Sequence, residues 1–431
     1  MFYLYWPLAL KNYLIILITV FIGLSPTLSF ANTEENLLTL KEAEEIALES
    51  DSLTLSFNAS AEALNQQSIA DSQFSDPKLK VGAMNFPVDT FNRGQEPMTQ
   101  LQIGVQQIFP RGRTLDYKGG QTEALSDVES ARAQDRQLSV KRSVRNAYLD
   151  LYFQIQSTHI LTEHERLFVQ LLDITQKHYA VGRDNQHDVL RAQLELSLLQ
   201  DKLVELGGMK QAAVAQLAKW ISYEKASQAL PDEQPMLPKI PSLITITESL
   251  FQHPLILAQD NMIEANRQQV EIEKEQYKPG WMLDVTYGGR TGNNFDGSNR
   301  ADFFSAMVLV DIPLFTGKRQ DKRVAASKKR HIAAKFTRTD RLRELRRMTE
   351  RKYARWEQLR ERYELYESRT LIEAAQNTEA TLKAYQSDVT DFTTLMRARL
   401  TELSTVLAMV RLRVEQAKVQ ADLLYFAGDR S

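Results

Sequence analysis

The 431-residue chain contains no cysteine. That absence excludes a structural disulfide, a thiolate metal site, a thiol nucleophile and an N-terminal lipid-anchoring cysteine. Glycine and proline are missing from residues 318–427, and again from residues 121–181. These two residues punctuate helices, so the gaps point to helices far longer than the ~11 to 12 residues usual in globular proteins. An excess of one charge is also lacking, with 53 basic against 55 acidic residues, and the hydrophobic content of 43% is ordinary. Beyond the first 31 residues no stretch is apolar enough to cross a bilayer as a helix, so any entry into a membrane must be made by strands. HExxH, GxSxG and a cysteine pair are absent, and Gly317–Lys318 has no partner glycine five residues earlier, which leaves neither an enzyme signature nor a phosphate-binding loop. His159 and His164 are five apart, off a shared helical face and poorly spaced for a metal. No cofactor is expected.

Residues 1–31 carry Lys11, an apolar run over 13–24 and the small-x-small ending Ser29, Phe30, Ala31, the pattern of a cleaved signal peptide. The alternative is an anchor that stays attached, for which the run is short. A leader of this kind, with the acidic remainder of the chain, argues against nucleic acid as the partner of the basic run 328–330.

The rest of the chain is duplicated. Tyr179 opens YAVGRDNQHDVLRAQLEL and Tyr385 opens YQSDVTDFTTLMRARLTE, which sets Arg191 and Ala192 206 residues before Arg397 and Ala398. IFPRGR at 108–113 answers PLFTGKR at 313–319. A period near 200 is too long for a solenoid and indicates two homologous halves of one body. The expected first repeat, 32–221, has a helix over 39–75, strands over 78–87 and 99–109, and helices over 113–181 and 187–221. A linker over 222–241 follows. The second repeat, 242–431, has a helix over 243–277, strands over 280–289 and 302–313, and helices over 317–386 and 391–427. Gly207 and Gly208 are expected to interrupt the helix after the first tip.

The short segments alternate. Leu79, Val81 and Ala83 share one face, as do Leu101, Ile103 and Val105, then Trp281, Leu283, Val285 and Tyr287, then Phe304, Ala306, Val308, Val310 and Ile312. Each is near the ~9 to 11 residues a tilted transmembrane strand requires, and Phe86, Phe91, Phe109, Trp281, Tyr287, Phe303 and Phe315 cluster near the ends as an interfacial girdle would. Amphipathic hairpins on a soluble core fit the same pattern. Four strands cannot close a barrel, so the membrane reading needs several chains, and three would give twelve strands.

Residues 34–76 hold ten acidic residues and one basic, while residues 318–362 hold eighteen basic and six acidic. Both lie beside the strands, so the two helices are expected side by side, within one chain or between subunits, with Glu42, Glu45 and Glu49 in reach of some of Arg341, Arg346, Arg347, Arg351 and Arg355.

With its duplicated helix-strand-strand-helix-helix order and the tip pattern Tyr179, Gly182, Asp188, Val189, Leu190, Ala192, the chain resembles the TolC-like outer-membrane efflux proteins, over about residues 38–428. The resemblance implies a mainly α fold with a small membrane β-barrel: a homotrimer with a twelve-stranded barrel on a long α-helical barrel, in the outer membrane of a Gram-negative bacterium and extending into the periplasm. It implies a passive exit duct, touching outer-membrane lipid and joined to a periplasmic adaptor protein and an inner-membrane RND-type transporter. The heavy-metal efflux branch is suggested by overall resemblance only. Type I protein secretion and a secreted coiled-coil scaffold without a pore are the alternatives. In the family the tips meet the adaptor and constrict the channel, which assigns docking to Gly182, Arg183, Asp184, Asn185, Asp388, Val389, Thr390 and Asp391. The constriction falls to Asp188, Arg191, Thr394 and Arg397. Here Asp388 stands where the first half has Gly182, and Thr394 and Arg397 stand where family members carry aspartates. An acidic ring at those places is therefore not carried over; Asp184, Asp388 and Asp391 could supply one from neighbouring positions, and they read equally as turn and cap residues.

Overall fold

A computed structural model describes residues 37–183 and 185–429. The expected signal peptide and Asp184 lie outside them. Helix α1 (Leu40–Ser50) starts where the Thr39 hydroxyl accepts from the Glu42 N–H at 3.2 Å. It does not continue to residue 75. Asp51 accepts from the Thr54 N–H at 2.8 Å and from its hydroxyl at 2.7 Å, and this cap opens a separate helix α2 (Ser52–Asp71). A short carboxylate competes for backbone donors, so the chain turns and restarts there. Strands β1 (Lys78–Met84) and β2 (Gln100–Phe109) follow, then α3 (Thr114–Ala180) and α4 (Gln186–Ala218). β1 stops before residue 87 because Asn85 takes a left-handed φ of 55°. α4 runs unbroken through Gly207 and Gly208, contrary to expectation. The propensity cost of about 1 kcal/mol per glycine is offset by the buried face of Leu199, Leu206 and Leu217.

The linker contains a single turn of helix, α5 (Tyr223–Ala226). The second half begins with α6 (Leu243–Ser249), a 3-10 turn over Leu250–Gln252, and α7 (Pro254–Glu275). One helix over 243–277 is thus ruled out. His253, the residue before a proline, is pushed to an extended backbone, and Pro254 is suited to a first helical turn where no N–H is needed. Strands β3 (Gly280–Arg290) and β4 (Phe303–Asp311) lead to α8 (Gln320–Leu365), a π segment over Tyr366–Thr370, α9 (Leu371–Gln386) and α10 (Phe392–Ala427). From residue 320 to residue 386 the path is as long as the 67 residues of α3. At ~1.5 Å per residue each is about 100 Å of helix.

The four strands form one antiparallel sheet ordered β1-β2-β3-β4. Below it α2 packs on α3, α3 on α7, and α7 on α8, while α10 joins α3 to α8. Apolar clusters punctuate the length of the rod: one around Tyr148, Leu149 and Leu217, one around Leu250, Leu345 and Leu423, and one near the tips around Phe168, Phe392 and Leu395.

Among the described residues the acidic and basic segments do not meet within the chain. Glu42 pairs with Lys225 at 2.7 Å, Glu44 with Arg145 at 2.7 Å and Asp51 with Arg136 at 2.8 Å. Among the described residues Glu45 pairs with Lys41 of its own helix, at 3.8 Å. α1 and α2 pack on α3, whereas α8 packs on α6, α7 and α10, with Arg338 on Asp260 and Lys352 on Asp422. α3 and α7 separate the two, so the within-chain form of that expectation is overturned.

Candidate functional site

The sheet has two chemically distinct faces, set by the period-2 alternation and the observed register. Leu79 lies opposite Val105, which lies opposite Val285, which lies opposite Ala306, and the next positions along the same face are Val81, Ile103, Tyr287 and Phe304. This face is open to its surroundings: Val81 is 77% exposed and Phe304 73%. A contiguous apolar surface of this kind is out of place in water. At its lower end Phe109 stacks on Trp281 with ring centroids 3.8 Å apart, and Phe74 meets Phe109 edge-on. Tyr287 and Phe304 mark a second aromatic level six residues further along β3, about 20 Å of strand.

The opposite face is polar and more enclosed. Lys80 Nζ donates to Asp284 at 2.7 Å, passing over β2 where the intervening position is Gly104. A β-carbon at Gly104 would sit 2.6 Å from the Val285 carbonyl oxygen and 2.6 Å from Thr286 Oγ1, so only glycine fits there. The Thr286 hydroxyl donates to Asp284 at 2.8 Å. Alternation alone does not announce the Lys80–Asp284 contact, because β1 and β3 bring together residues 204 positions apart.

At the far end of the rod the two hairpin tips are built alike. The Gly182 N–H donates to the Tyr179 carbonyl at 3.0 Å and the Arg183 N–H to the His178 carbonyl at 2.9 Å. Asp388 and Val389 repeat both bonds 206 residues on, to Tyr385 at 3.1 Å and Ala384 at 2.9 Å. These are the paired bonds of a Schellman helix end, which needs a left-handed residue. Gly182 supplies φ 78° and Asp388 φ 58°. Aspartate is among the few side chains that tolerate this region.

Each tip restarts with a capped helix. The Asp188 carboxylate accepts from the Asn185 N–H at 3.4 Å, and Asp391 accepts from the Thr394 N–H at 2.7 Å. The Thr394 backbone and hydroxyl bonds, with Arg397 and Arg191 close by, hold the Asp391 carboxyl below the usual carboxylate range. The two helix starts lie against each other, since Arg191 Nη1 donates to Thr393 Oγ1 at 3.3 Å. Asp188, Arg191, Thr394 and Arg397 therefore belong to the opening turns of two neighbouring helices, with Thr394 and Arg397 exposed. Gly182, Arg183, Asn185, Asp388, Val389 and Asp391 are exposed on the turns themselves, and Thr390 is half-buried. Beneath them Tyr385 stacks on His178 and meets Phe392 edge-on, tying one hairpin to the other.

A strand pair leading into a helical hairpin about 100 Å long, repeated once, defines a membrane-sheet protein with a deep helical extension. The chain belongs to the outer membrane efflux protein family, which matches residues 40–221 and 245–428, one match for each half. Membership places it in the outer membrane, reaching into the periplasm, among passive conduits rather than enzymes. No curated protein matches the chain. Solved structures share the fold at low identity. The outer membrane protein VceC from Vibrio cholerae is 19% identical with a TM-score of 0.75, covering 90% of this chain and 96% of that one. The outer-membrane channel OprN is 18% identical with a TM-score of 0.74, covering 90% and 89%. The open state of the Neisseria gonorrhoeae MtrE outer membrane channel is 14% identical with a TM-score of 0.72, covering 91% and 89%.

Proposed function

We propose that three copies pool their sheets into a twelve-stranded barrel and their helices into a duct beneath it, and that this trimer is the exit conduit of a tripartite efflux system. The observation that carries the reading is the sheet: apolar on one exposed face, polar on the other, and open at both edge strands. A single chain leaves those backbone groups unpaired in lipid, whereas a closed ring pairs them all. The polar face with Lys80 and Asp284 then lines water, and the aromatic levels lie at the membrane interfaces. A pore-free scaffold has no use for such a face.

The exposed turns at Gly182, Arg183, Asn185 and Asp388, Val389, Thr390, Asp391 dock a periplasmic adaptor, which couples the duct to an inner-membrane RND-type transporter. Asp188, Arg191, Thr394 and Arg397 narrow the tip, and their mixed charge replaces an acidic ring. Among the described residues no group of three or more His, Asp or Glu stands where it would hold a metal ion. Purified protein in planar bilayers tests the reading. Discrete conductance from a trimer that survives dodecyl sulfate is expected, and Arg191→Ala with Arg397→Ala should raise that conductance. A monomer without conductance overturns the duct, and unchanged conductance in the double variant removes those arginines from the constriction.

A further inference from the structure

The lateral order of the helices repeats the order of the strands: α2, α3, α7, α8 beneath β1, β2, β3, β4. Because α2 leads into β1 and β4 leads into α8, one molecule ends in two open edges, α2 with β1 and α8 with β4. The helices at the two edges carry opposite charge, seven acidic residues against one basic over 40–71 and sixteen basic against seven acidic over 320–365.

Their relative height follows from contacts. Asp51 and Glu44 bind Arg136 and Arg145 of α3. The 206-residue offset between the halves carries those two positions to Leu342 and Arg351 of α8. Asp422 of α10 supports the same level independently, lying 2.5 Å from Lys352 of α8 and 4.0 Å from Arg142 of α3. The α1 stretch is therefore level with the arginine-rich stretch of α8. On α1, Glu45 and Glu49 are exposed, and among the described residues neither pairs with a cation of another helix. On α8, Arg346 and Arg347 pair, among the described residues, with Glu350 and Glu344 of their own helix, and Arg343 and Arg351 are exposed.

We propose that the α1–α2 edge of one copy seats along the α8 edge of the next, and that this acid-to-base seam selects which edges meet and at what height. The inference rests on the trimer proposed above. Stacked arginines on one helix repel each other, and an acidic partner edge relieves that repulsion while disfavouring α8 against α8. Exposed pairs add little strength individually, so the seam gives register and partner choice. Apolar contact comes from Leu53 and Leu55 on α2 and from Ile332 and Phe336 on α8, all exposed in the single chain.

The absence of native cysteine makes the test direct. Full-length variants Glu49→Cys with Arg346→Cys, and Glu45→Cys with Arg351→Cys, should form covalently linked trimers on mild oxidation in membranes, and each single-cysteine variant should not. Glu45→Lys with Glu49→Lys should lower the yield of dodecyl-sulfate-resistant trimer, and adding Arg346→Glu with Arg351→Glu should restore it. A wild-type trimer in which neither cysteine pair links and reversal changes nothing overturns the seam and leaves the duct standing. A wild type that forms no trimer overturns the duct, and the seam with it.

Discussion

Arg145 offers the sharpest test of how the rod is held at mid-height. Its guanidinium is 4% exposed; Nε donates to Glu44 at 2.7 Å and Nη1 to Asp429 at 2.8 Å, with the two carboxylates 13% and 9% exposed. Burial works against the charge, but the hydrogen bonds and charges of Glu44 and Asp429 outweigh it and hold the group above its ordinary pKa. Replacing Arg145 by Met keeps the volume and removes the cation, leaving two buried carboxylates without their guanidinium. Breaking one partner out of a buried ion pair costs about 3–5 kcal/mol. The triple variant Arg145→Met, Glu44→Gln, Asp429→Asn should recover most of the loss, since removing every charge is often near neutral. Urea unfolding of the detergent-solubilised protein, followed by circular dichroism, reads both quantities. A loss under ~1 kcal/mol for the single variant, or a triple variant no better than the single, would refute the reasoning.

Asp51 is held at about 2 by its hydrogen bond to Arg136, with Thr54 adding to it. A depressed carboxylate stabilises fully above its unfolded value near 3.8 and loses that contribution as pH falls toward 2, so acid titration of stability should show an Asp51→Asn-sensitive loss of about 2 kcal/mol in that window. Gly104→Ala should cost about 1–3 kcal/mol by forcing β2 away from β3, whereas Gly82→Ala, with nothing within 4 Å, should cost well under that; equal effects in a folding assay would contradict the register. Asp388→Gly should relieve about 1 kcal/mol of left-handed strain and Gly182→Ala should add a similar amount, read as opposite shifts in amide exchange at the two tips.

Much of the architecture was legible because it is written in local pattern. Two long glycine- and proline-free stretches, four alternating segments and a 206-residue offset are properties of neighbouring residues, and they carry the mainly helical fold with its small sheet. The breaks were less legible. Asp51 and His253 each end one helix and start another through a side-chain or pre-proline effect that looks minor beside the helical periodicity around it. Gly207 and Gly208 misled in the opposite direction, because a buried leucine face overrode their weak propensity. At the tips the offset showed that Asp388 replaces Gly182; only the backbone showed that both take the same left-handed turn.

By itself, then, the sequence determined periodicity: where helix prevails and where strand does, which side of each strand is apolar, and that the body is built twice. Tertiary structure decided the pairings. It put Lys80 across Gly104 onto Asp284, gave Glu44 and Asp51 to α3, and set the basic face of α8 at the far edge from the acidic one. The division has a physical origin. Periodicity follows from short-range sterics and hydrogen bonding, while a charge or hydroxyl finds its partner only after strand register and helix order have brought residues hundreds apart to within 3 Å.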